Sequence, residues 1–158
     1  DLEIDNSKNW KGDFINFIKE NYRGAKFYNQ YESLFFSIKS REFKNLIELN
    51  IFFIDKICDL LKMKKKFLFS SDYQLNSKST YKLVELIKLL NGTEYLSGQG
   101  GKKYLNEKLF FTNKINLNYL NYKQAYYNQQ KSIKFIPGLS ILDEIMNKDM
   151  NKLTENLK

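Results

Sequence analysis

The loop with the clearest chemical potential reads Ser97-Gly98-Gln99-Gly100-Gly101-Lys102 and joins a short apolar segment to a helical one. Glycines let backbone amides approach a ligand closely, and a helix that begins after such a loop places partial positive charge there. Lys102 adds a full positive charge. The combination predicts a binding site for a phosphate, pyrophosphate or carboxylate group, with a tight turn as the structural alternative. The glycine spacing fits neither the P-loop nor the dinucleotide-binding fingerprint.

A second polar group, Ser70-Ser71-Asp72, follows another short apolar run. If the two runs are neighbouring parallel strands, the groups that follow them open on the same edge of the sheet, where ligands bind in α/β proteins. The hydroxyls of Ser70, Ser71 and Ser97, beside glycine amides, would then suit a ligand with many oxygens, such as a nucleotide sugar. Capping of the next helix by serine or aspartate is the alternative.

Asp143 is the candidate catalytic residue, either as a base or as the group that orients a nucleophile. Ser140 stands three residues before it, where the last helix is expected to begin. A capping box, in which the Ser140 hydroxyl and the Asp143 carboxylate each accept a backbone N–H, is the structural alternative. Tyr104 and Gln129 are candidate substrate contacts, and structural hydrogen bonds would explain them equally well.

The sequence has no histidine and a single cysteine, Cys58. Zinc sites, and serine or cysteine nucleophiles activated by histidine, therefore lose their usual residues. We expect no metal site, and the sequence identifies no cofactor. Any catalysis must use Asp, Glu, Lys, Tyr, Ser or backbone amides, or residues outside this chain.

The net charge of +8 and the 16% content of aromatic residues would also suit a nucleic acid or an anionic polymer. However, only Arg23 and Arg41 are arginines among the 26 basic residues, and arginine is the usual reader of phosphates and base edges. We therefore do not expect nucleic acid as a partner, and a non-catalytic nucleic-acid or anionic-polymer binding module is the alternative function. Because no apolar run reaches the length of a membrane span and the first residues lack a signal-peptide pattern, we expect a cytoplasmic protein.

The spacing of apolar residues predicts the elements that must hold these groups. Two short N-terminal helices precede a long, largely buried central helix over 42–63. Strands are expected at 66–70, 94–97 and 116–122, separated by one helix that Ser79 or Thr80 caps and another over 102–111. Strands joined by helical crossovers lie parallel. The prediction is a helix-rich α/β fold with a three-stranded parallel sheet in β-α-β-α-β order. It forms one domain over 1–158, with a fraying polar tail at 147–158.

Several motifs in this order resemble the WbqC-like family, namely Tyr95-Leu96-Ser97-Gly98, Gly100-Gly101, Tyr127-Asn128-Gln129 and Leu139-Ser140-Ile141-Leu142-Asp143. That family is associated with bacterial O-antigen, lipopolysaccharide and other surface-polysaccharide gene clusters, and a glycine-transferase role has been suggested for a member. The resemblance implies a transferase-type protein of surface glycan biosynthesis. Such a protein would bind an anionic donor or a nucleotide-linked sugar and transfer an aminoacyl group such as glycyl.

The chain departs from the family pattern near its N-terminus. Members open with a segment containing a Gln-Pro pair and a Pro-Trp-x-Gly-Tyr-like motif, which this sequence lacks, and relatives often carry a histidine where it has Lys11 and Asp13. We therefore expect the C-terminal two-thirds of a longer WbqC-like protein, or a shortened member. A partner protein or the missing N-terminal segment would then complete the site, and a scaffold subunit of a glycan-assembly complex is a further alternative function.

Overall fold

The computed structural model describes residues 2–149, and its N-terminal part is helical. Helices α1 (Trp10–Tyr22) and α2 (Tyr28–Phe36) confirm the two predicted N-terminal helices. A 3₁₀ helix, Ser37–Ser40, and then α3 (Leu46–Leu60) follow. Before α1, the chain is tied to the segment that precedes α3, because Ile4 N donates to Lys44 O at 3.0 Å.

The central helix is shorter and less buried than its sequence predicts. It begins at Leu46 because the Asn45 side chain accepts the N–H of Glu48, and it ends before Lys62, whose φ of 54° is left-handed. No residue of α3 is fully buried. Apolar residues lie on all faces of α3, but those that pack against the buried core lie on one face. On that face, the centres of the Phe53 and Phe14 rings are 5.6 Å apart.

The second half of the chain confirms the α/β class and the parallel pairing. Its elements are α4 (Ser79–Leu89), β1 (Glu94–Ser97), a 3₁₀ helix (Gln99–Lys103), α5 (Glu107–Thr112), β2 (Asn116–Tyr119) and α6 (Ile141–Asn147). Strands β1 and β2 pair in parallel, with Glu94 opposite Asn116 and Ser97 opposite Tyr119. The helix predicted over 102–111 is divided, because a 3₁₀ turn contains the Gly100-Gly101 pair and Asn106 caps a separate α5.

The strand predicted at 66–70 is absent, so the sheet in residues 2–149 has two strands instead of three. Residues 66–69 have no regular structure, and Ser70–Asp72 is a 3₁₀ helix. The three apolar residues of this run are too few to bury a strand, and both Leu68 and Phe69 are exposed.

The predicted cap of α4 is wrong. Lys78 occupies the capping position and makes no side-chain cap bond, while Ser79 has a φ of 53°. The Thr80 hydroxyl instead accepts the N–H of Asn106 at 3.2 Å, which ties the start of α4 to the start of α5. A tertiary hydrogen bond thus takes the hydroxyl that was expected to satisfy the helix terminus.

Residue contacts divide the described chain into two units, a first unit of 2–65 with 124–149 and a second unit of 66–123. The prediction of one domain over 1–158 stays a prediction. Within the first unit, Ile145 and Met146 of α6 pack with buried residues of α1 and α2, and a separate cluster surrounds Phe43. The core of the second unit comprises Val84, Ile87, Leu105, Phe110 and Ile115.

The predicted polar tail falls mostly outside the described residues. Asn147 is the last residue of α6, and positions 150–158 are not described. Across residues 2–149, no helix combines the length and the apolar character that crossing a membrane requires.

Candidate functional site

Helix α6 places two carboxylates in the interior of the first unit. Asp143 is 5% exposed and Glu144 is 4% exposed, and the next two residues, Ile145 and Met146, are completely buried. Four consecutive buried residues mean that the central turn of this short helix is enclosed, while Ile141 at its start is exposed. Burial of a carboxylate costs free energy unless hydrogen bonds or opposite charges compensate it, so the partners of both groups matter.

The Asp143 carboxylate is held by side chains from the segment before α6. Tyr127 donates its hydroxyl to Asp143 Oδ2 at 2.7 Å, and Gln129 Nε2 lies 3.2 Å from the same oxygen. The capping box considered for Asp143 is not formed: the Ser140 hydroxyl accepts the N–H of Leu142, and the carboxylate turns to Tyr127 instead of the helix start. The structure thus brings together Asp143 and Gln129, two of the predicted site residues.

Gln129 also fixes the loop that follows Tyr127. Its Nε2 donates to Ile136 O at 2.9 Å and its Oε1 accepts the N–H of Ile136 at 2.7 Å, so one amide closes the loop 129–136. The Tyr127 ring packs edge-on against Phe135, with ring centres 5.3 Å apart. Both ends of the Gln129 amide are therefore engaged within the protein, and its contribution to the site is to hold the loop and Asp143.

The two acidic residues of α6 have different partners. Glu144 pairs with Lys148 at 3.2 Å, whereas Asp143 is bonded to the neutral groups of Tyr127 and Gln129. Burial raises the pKa of Tyr127 to about 12, with the hydrogen bond from Gln129 opposing the rise and Asp143 adding to it.

Tyr22 of α1 lies near the same carboxylate. Burial, followed by the charge of Asp143, raises the pKa of Tyr22 to about 12. At neutral pH both Tyr22 and Tyr127 therefore remain protonated and can donate hydrogen bonds but not take up protons.

The predicted anion loop lies in the second unit. Ser97 is buried and its hydroxyl donates to Gly98 O at 3.1 Å. Gly101 is buried against Ser97, where any Cβ would overlap the serine hydroxyl, so glycine is needed there for close packing. Gly98 and Gly100, in contrast, face open space. Their backbone is accessible to a ligand, whereas the Ser97 hydroxyl is already engaged.

Lys102 and Tyr104 flank this loop. Lys102 Nζ lies 5.1 Å from the centre of the Tyr119 ring, a cation–π distance, and the Tyr119 hydroxyl donates to Glu107 Oε1 at 2.8 Å. Tyr104 is 70% exposed. The cationic group of Lys102 thus has a structural partner, and ligand binding by Lys102 and Tyr104 stays a prediction.

Ser70, Ser71 and Asp72 are exposed on their 3₁₀ helix. Because residues 66–70 form no strand, the reasoning that placed these side chains at a common sheet edge with Ser97 no longer applies. Their role in ligand binding stays a prediction. Within residues 2–149, no three acidic or cysteine side chains are grouped in a way that could hold a metal ion.

Sequence reasoning assigned no role to Tyr22, Tyr127 or Glu144. A signal for Tyr127 was present, because it precedes Gln129 by two residues, and alternate residues of an extended segment point to the same side. Both indeed contact Asp143. Tyr22 is more than a hundred residues away along the chain, and no local pattern connects it to α6.

Comparison with known proteins identifies a family and a curated relative of the chain. A model of the WbqC-like protein family matches residues 1–155. The chain is also similar to a protein of Mycobacterium tuberculosis (strain ATCC 25618 / H37Rv) described as uncharacterized protein Rv1507c, with 31% identity over 103 residues. This match covers 65% of the chain and 45% of the relative, so the chain aligns with less than half of that protein. No solved structure matches the chain.

Proposed function

Because the chain belongs to the WbqC-like protein family, we propose that it is a transferase-type protein of bacterial surface glycan biosynthesis in which Asp143 acts on the nucleophile. The observation that carries the proposal is the buried Asp143 carboxylate, 2.7 Å from the Tyr127 hydroxyl. Buried titratable groups with fixed partners are common at functional sites. In the part of the chain that the structure describes, neither helix capping nor an ion pair accounts for this residue.

The proposed reaction transfers a glycyl group to an acceptor sugar. A hydroxyl or amino group of the acceptor attacks the carbonyl carbon of an activated glycyl ester or thioester. The new bond joins that oxygen or nitrogen to the glycyl carbon, and the bond to the leaving group breaks. Asp143 takes the proton that the acceptor loses and passes it to the leaving group, which regenerates the carboxylate. Tyr127 and Gln129 hold the carboxylate in one orientation during both steps.

A separate role is proposed for the loop of the second unit, which would bind phosphate groups such as those of a nucleotide-linked sugar. The accessible backbone at Gly98 and Gly100 and the cationic side chain of Lys102 support this role. Ser70, Ser71, Asp72 and Tyr104 are proposed as additional ligand contacts because their side chains are exposed.

A thermal-shift screen tests the binding part of the proposal, with nucleotide sugars, nucleotides and amino acids compared side by side. We expect a nucleotide sugar to raise the Tm of the chain and Lys102→Ala to abolish that rise while leaving its own Tm nearly unchanged. Lys108→Ala is the matched control, because it removes an exposed lysine from α5. A Lys102→Ala variant that melts early but responds normally to the ligand would assign Lys102 a structural role.

Mass spectrometry tests the reaction itself. Ligands that raise the Tm are incubated with the chain, acceptor sugars and an activated glycyl ester, and the expected product is an acceptor heavier by one glycyl residue. Activated esters react slowly without catalysis, so a reaction without protein sets the background. Product formation at the background rate with every donor and acceptor pair would contradict a transferase function.

One observation favours the alternative of binding to single-stranded nucleic acid. Tyr104, Phe111 and Tyr122 of the second unit are exposed by 70%, 83% and 65%, and bases stack on accessible aromatic rings. Fluorescence anisotropy with a labelled oligothymidine at about 0.15 M salt separates the two functions. Binding that Phe111→Ala weakens would favour the alternative, and unchanged anisotropy would exclude it.

A further inference from the structure

Helix α3 has a second apolar face besides the one that packs inside the first unit. Ile47, Ile51, Ile54 and Cys58 follow one another at intervals of four, three and four residues. With 3.6 residues per turn, these intervals place all four side chains within about 60° of one side of the helix. The four residues are called the apolar stripe below.

The apolar stripe lies opposite the core-facing side of α3. The apolar side chains of the helix that pack against the buried clusters of the first unit are Leu49, Phe52, Phe53 and Leu60. Within residues 2–149, no member of the stripe packs against a buried cluster. Ile47 and Ile54 are each 46% exposed, and Cys58 is only partly buried. Contiguous exposed apolar side chains of this kind mark interaction surfaces.

The spacing of the stripe specifies the kind of element that covers it. Alternate intervals of four and three residues form the seam of a coiled coil, in which helices pair through positions a and d of a seven-residue repeat. Ile51 and Cys58 then occupy a positions, and Ile47 and Ile54 occupy d positions. Because the opposite face of α3 is used inside its own unit, only this narrow seam is free. The stripe therefore suits pairing with a single further helix.

One flank of the stripe is acidic. Glu48, Asp55 and Asp59 lie along this side of α3. Lys65 pairs with both aspartates, at 3.0 Å in the case of Asp55 Oδ1. One ammonium group against three carboxylates leaves this flank with a net negative charge.

The other flank is neutral, and the difference decides how a second α3 would be oriented. Asn50 and Ile57 occupy the g positions on the neutral flank, while Glu48 and Asp55 occupy e positions on the acidic one. An antiparallel pair of aligned stripes would bring the two acidic flanks together, which is destabilising. In a parallel pair, each acidic flank faces a neutral one, and the Asn50 amide can donate a hydrogen bond to Asp55 of the other copy.

We propose that the apolar stripe binds the α3 helix of a second copy of the chain in a parallel, in-register pair. Each side chain of the stripe then faces its counterpart across a twofold axis, as in any isologous interface. Cys58 faces Cys58 of the second copy, whereas an antiparallel pair would set it against Ile47. This pairing goes beyond the transferase function and does not depend on it.

Oxidative cross-linking tests the pairing, because Cys58 is the single cysteine of the sequence. Copper(II) phenanthroline with dissolved oxygen removes one electron and one proton from each of two thiols, and the two sulfurs join in a disulfide. A disulfide requires a Cα separation of about 4.4 to 6.8 Å, which facing residues of a parallel pair provide. In the antiparallel pair the two cysteines would be about 16 Å apart. We expect a disulfide-linked dimer on a non-reducing gel.

A displaced thiol is the matched control for cross-linking. The double variant Cys58→Ser/Lys56→Cys moves the thiol to an exposed position on the opposite side of α3. It should cross-link at least about tenfold more slowly than Cys58, although collisions reach an exposed thiol more easily. The rate of each thiol with a small disulfide, dithiodipyridine, corrects for differences in intrinsic reactivity.

Sedimentation equilibrium of the reduced chain measures the association without a covalent bond. A seam of four side chains is smaller than a standard interface, so the dimer should be weak and its mass should rise from one chain towards two with concentration. Ile54→Lys sets two ammonium groups against each other and should raise the Kd at least about tenfold. Ile133→Lys changes a fully exposed isoleucine of the loop 129–136 and should keep the Kd. Thermal melting of each variant confirms that it is folded.

Three results would overturn the proposal: the mass of a single chain at every concentration, equal corrected cross-linking rates at positions 56 and 58, or a dimer that Ile54→Lys leaves intact. A dimer that Ile54→Lys disrupts but in which Cys58 does not cross-link would overturn the parallel orientation. Transfer of a glycyl group is measured separately by mass spectrometry, so failure of the pairing is distinguishable from failure of the transferase function.

Discussion

Replacing Tyr127 by phenylalanine tests whether the hydrogen bond to Asp143 holds the carboxylate of the first unit. The substitution removes one hydroxyl, which donates to Asp143 Oδ2 at 2.7 Å, and keeps the ring that packs on Phe135. A hydrogen bond to a charged group contributes about 1.5 to 3 kcal/mol, and its loss leaves a buried carboxylate with fewer donors. For a chain of this size, such a loss lowers the Tm by about 3 to 12 °C.

Urea titration followed by the fluorescence of Trp10 measures this change. Trp10 is the single tryptophan and lies in the same unit as Tyr127, so its emission reports on the unfolding of that unit. We expect Tyr127→Phe to lower the urea midpoint by an amount that corresponds to about 1.5 to 3 kcal/mol, with an unchanged slope.

Tyr126→Phe is the matched control. Its ring centre lies 5.2 Å from that of Phe135, close to the 5.3 Å of Tyr127, but Tyr126 is 72% exposed. Loss of its hydroxyl should change the stability by no more than about 0.5 kcal/mol. Equal midpoints for Tyr126→Phe and Tyr127→Phe would refute the reasoning, because the bond to Asp143 would then contribute nothing measurable.

The remaining predictions concern the ionisation of tyrosine and the packing of two turns. Because the pKa of Tyr22 and Tyr127 rises from 10.0 to about 12 on folding, their stabilising effect is complete below pH 10 and disappears between pH 10 and 12. In a pH titration followed by tyrosinate absorbance, part of the tyrosine signal should appear only well above pH 10, and Tyr127→Phe should reduce that part. Complete ionisation of the tyrosines near pH 10 in the folded chain would contradict this prediction. Lys114 follows α5 with a left-handed φ of 57°, which glycine adopts more easily than lysine. Lys114→Gly should therefore raise the free energy of unfolding, measured by urea titration, by about 0.5 to 1 kcal/mol. A lower free energy of unfolding would contradict the left-handed turn. Gly101→Ala should lower the free energy of unfolding by about 1 to 3 kcal/mol, because its methyl group overlaps the buried hydroxyl of Ser97. Gly100→Ala should lower it far less, because the new methyl group faces open space. Equal denaturation midpoints for the two variants would argue against this packing.

The two N-terminal helices and the two strands were predictable because their apolar spacing coincides with the faces that become buried. The length and burial of α3 were not predictable, because apolar residues lie on all of its faces and some of them, such as Ile47 and Ile54, remain exposed. Sequence spacing shows which residues are apolar, but the packing of neighbouring elements decides which side is covered. The prediction of a strand at 66–70 was wrong for a related reason, because a strand requires a paired neighbour as well as apolar residues.

Within the candidate site, Asp143 and Gln129 were predictable as individual residues, but their contact was not. They are 14 positions apart and lie on different elements, so only the folded loop 129–136 brings them together. The competing capping-box interpretation had the correct spacing and the correct helix start at Ser140. It failed because the Tyr127 hydroxyl provides a partner for the Asp143 carboxylate that no local pattern shows.

The most direct test of the central claim is the rate of glycyl transfer by Asp143→Asn, compared with the unmodified chain and with Asp13→Asn, which changes an exposed aspartate of α1. Asparagine keeps the size of the side chain and can still accept a hydrogen bond from Tyr127, but it cannot take the acceptor proton. If Asp143 acts as the base, the rate falls by about 10² to 10⁴, while the chain stays folded and the Asp13→Asn variant remains fully active. A folded Asp143→Asn variant that transfers at the unmodified rate would contradict the claim.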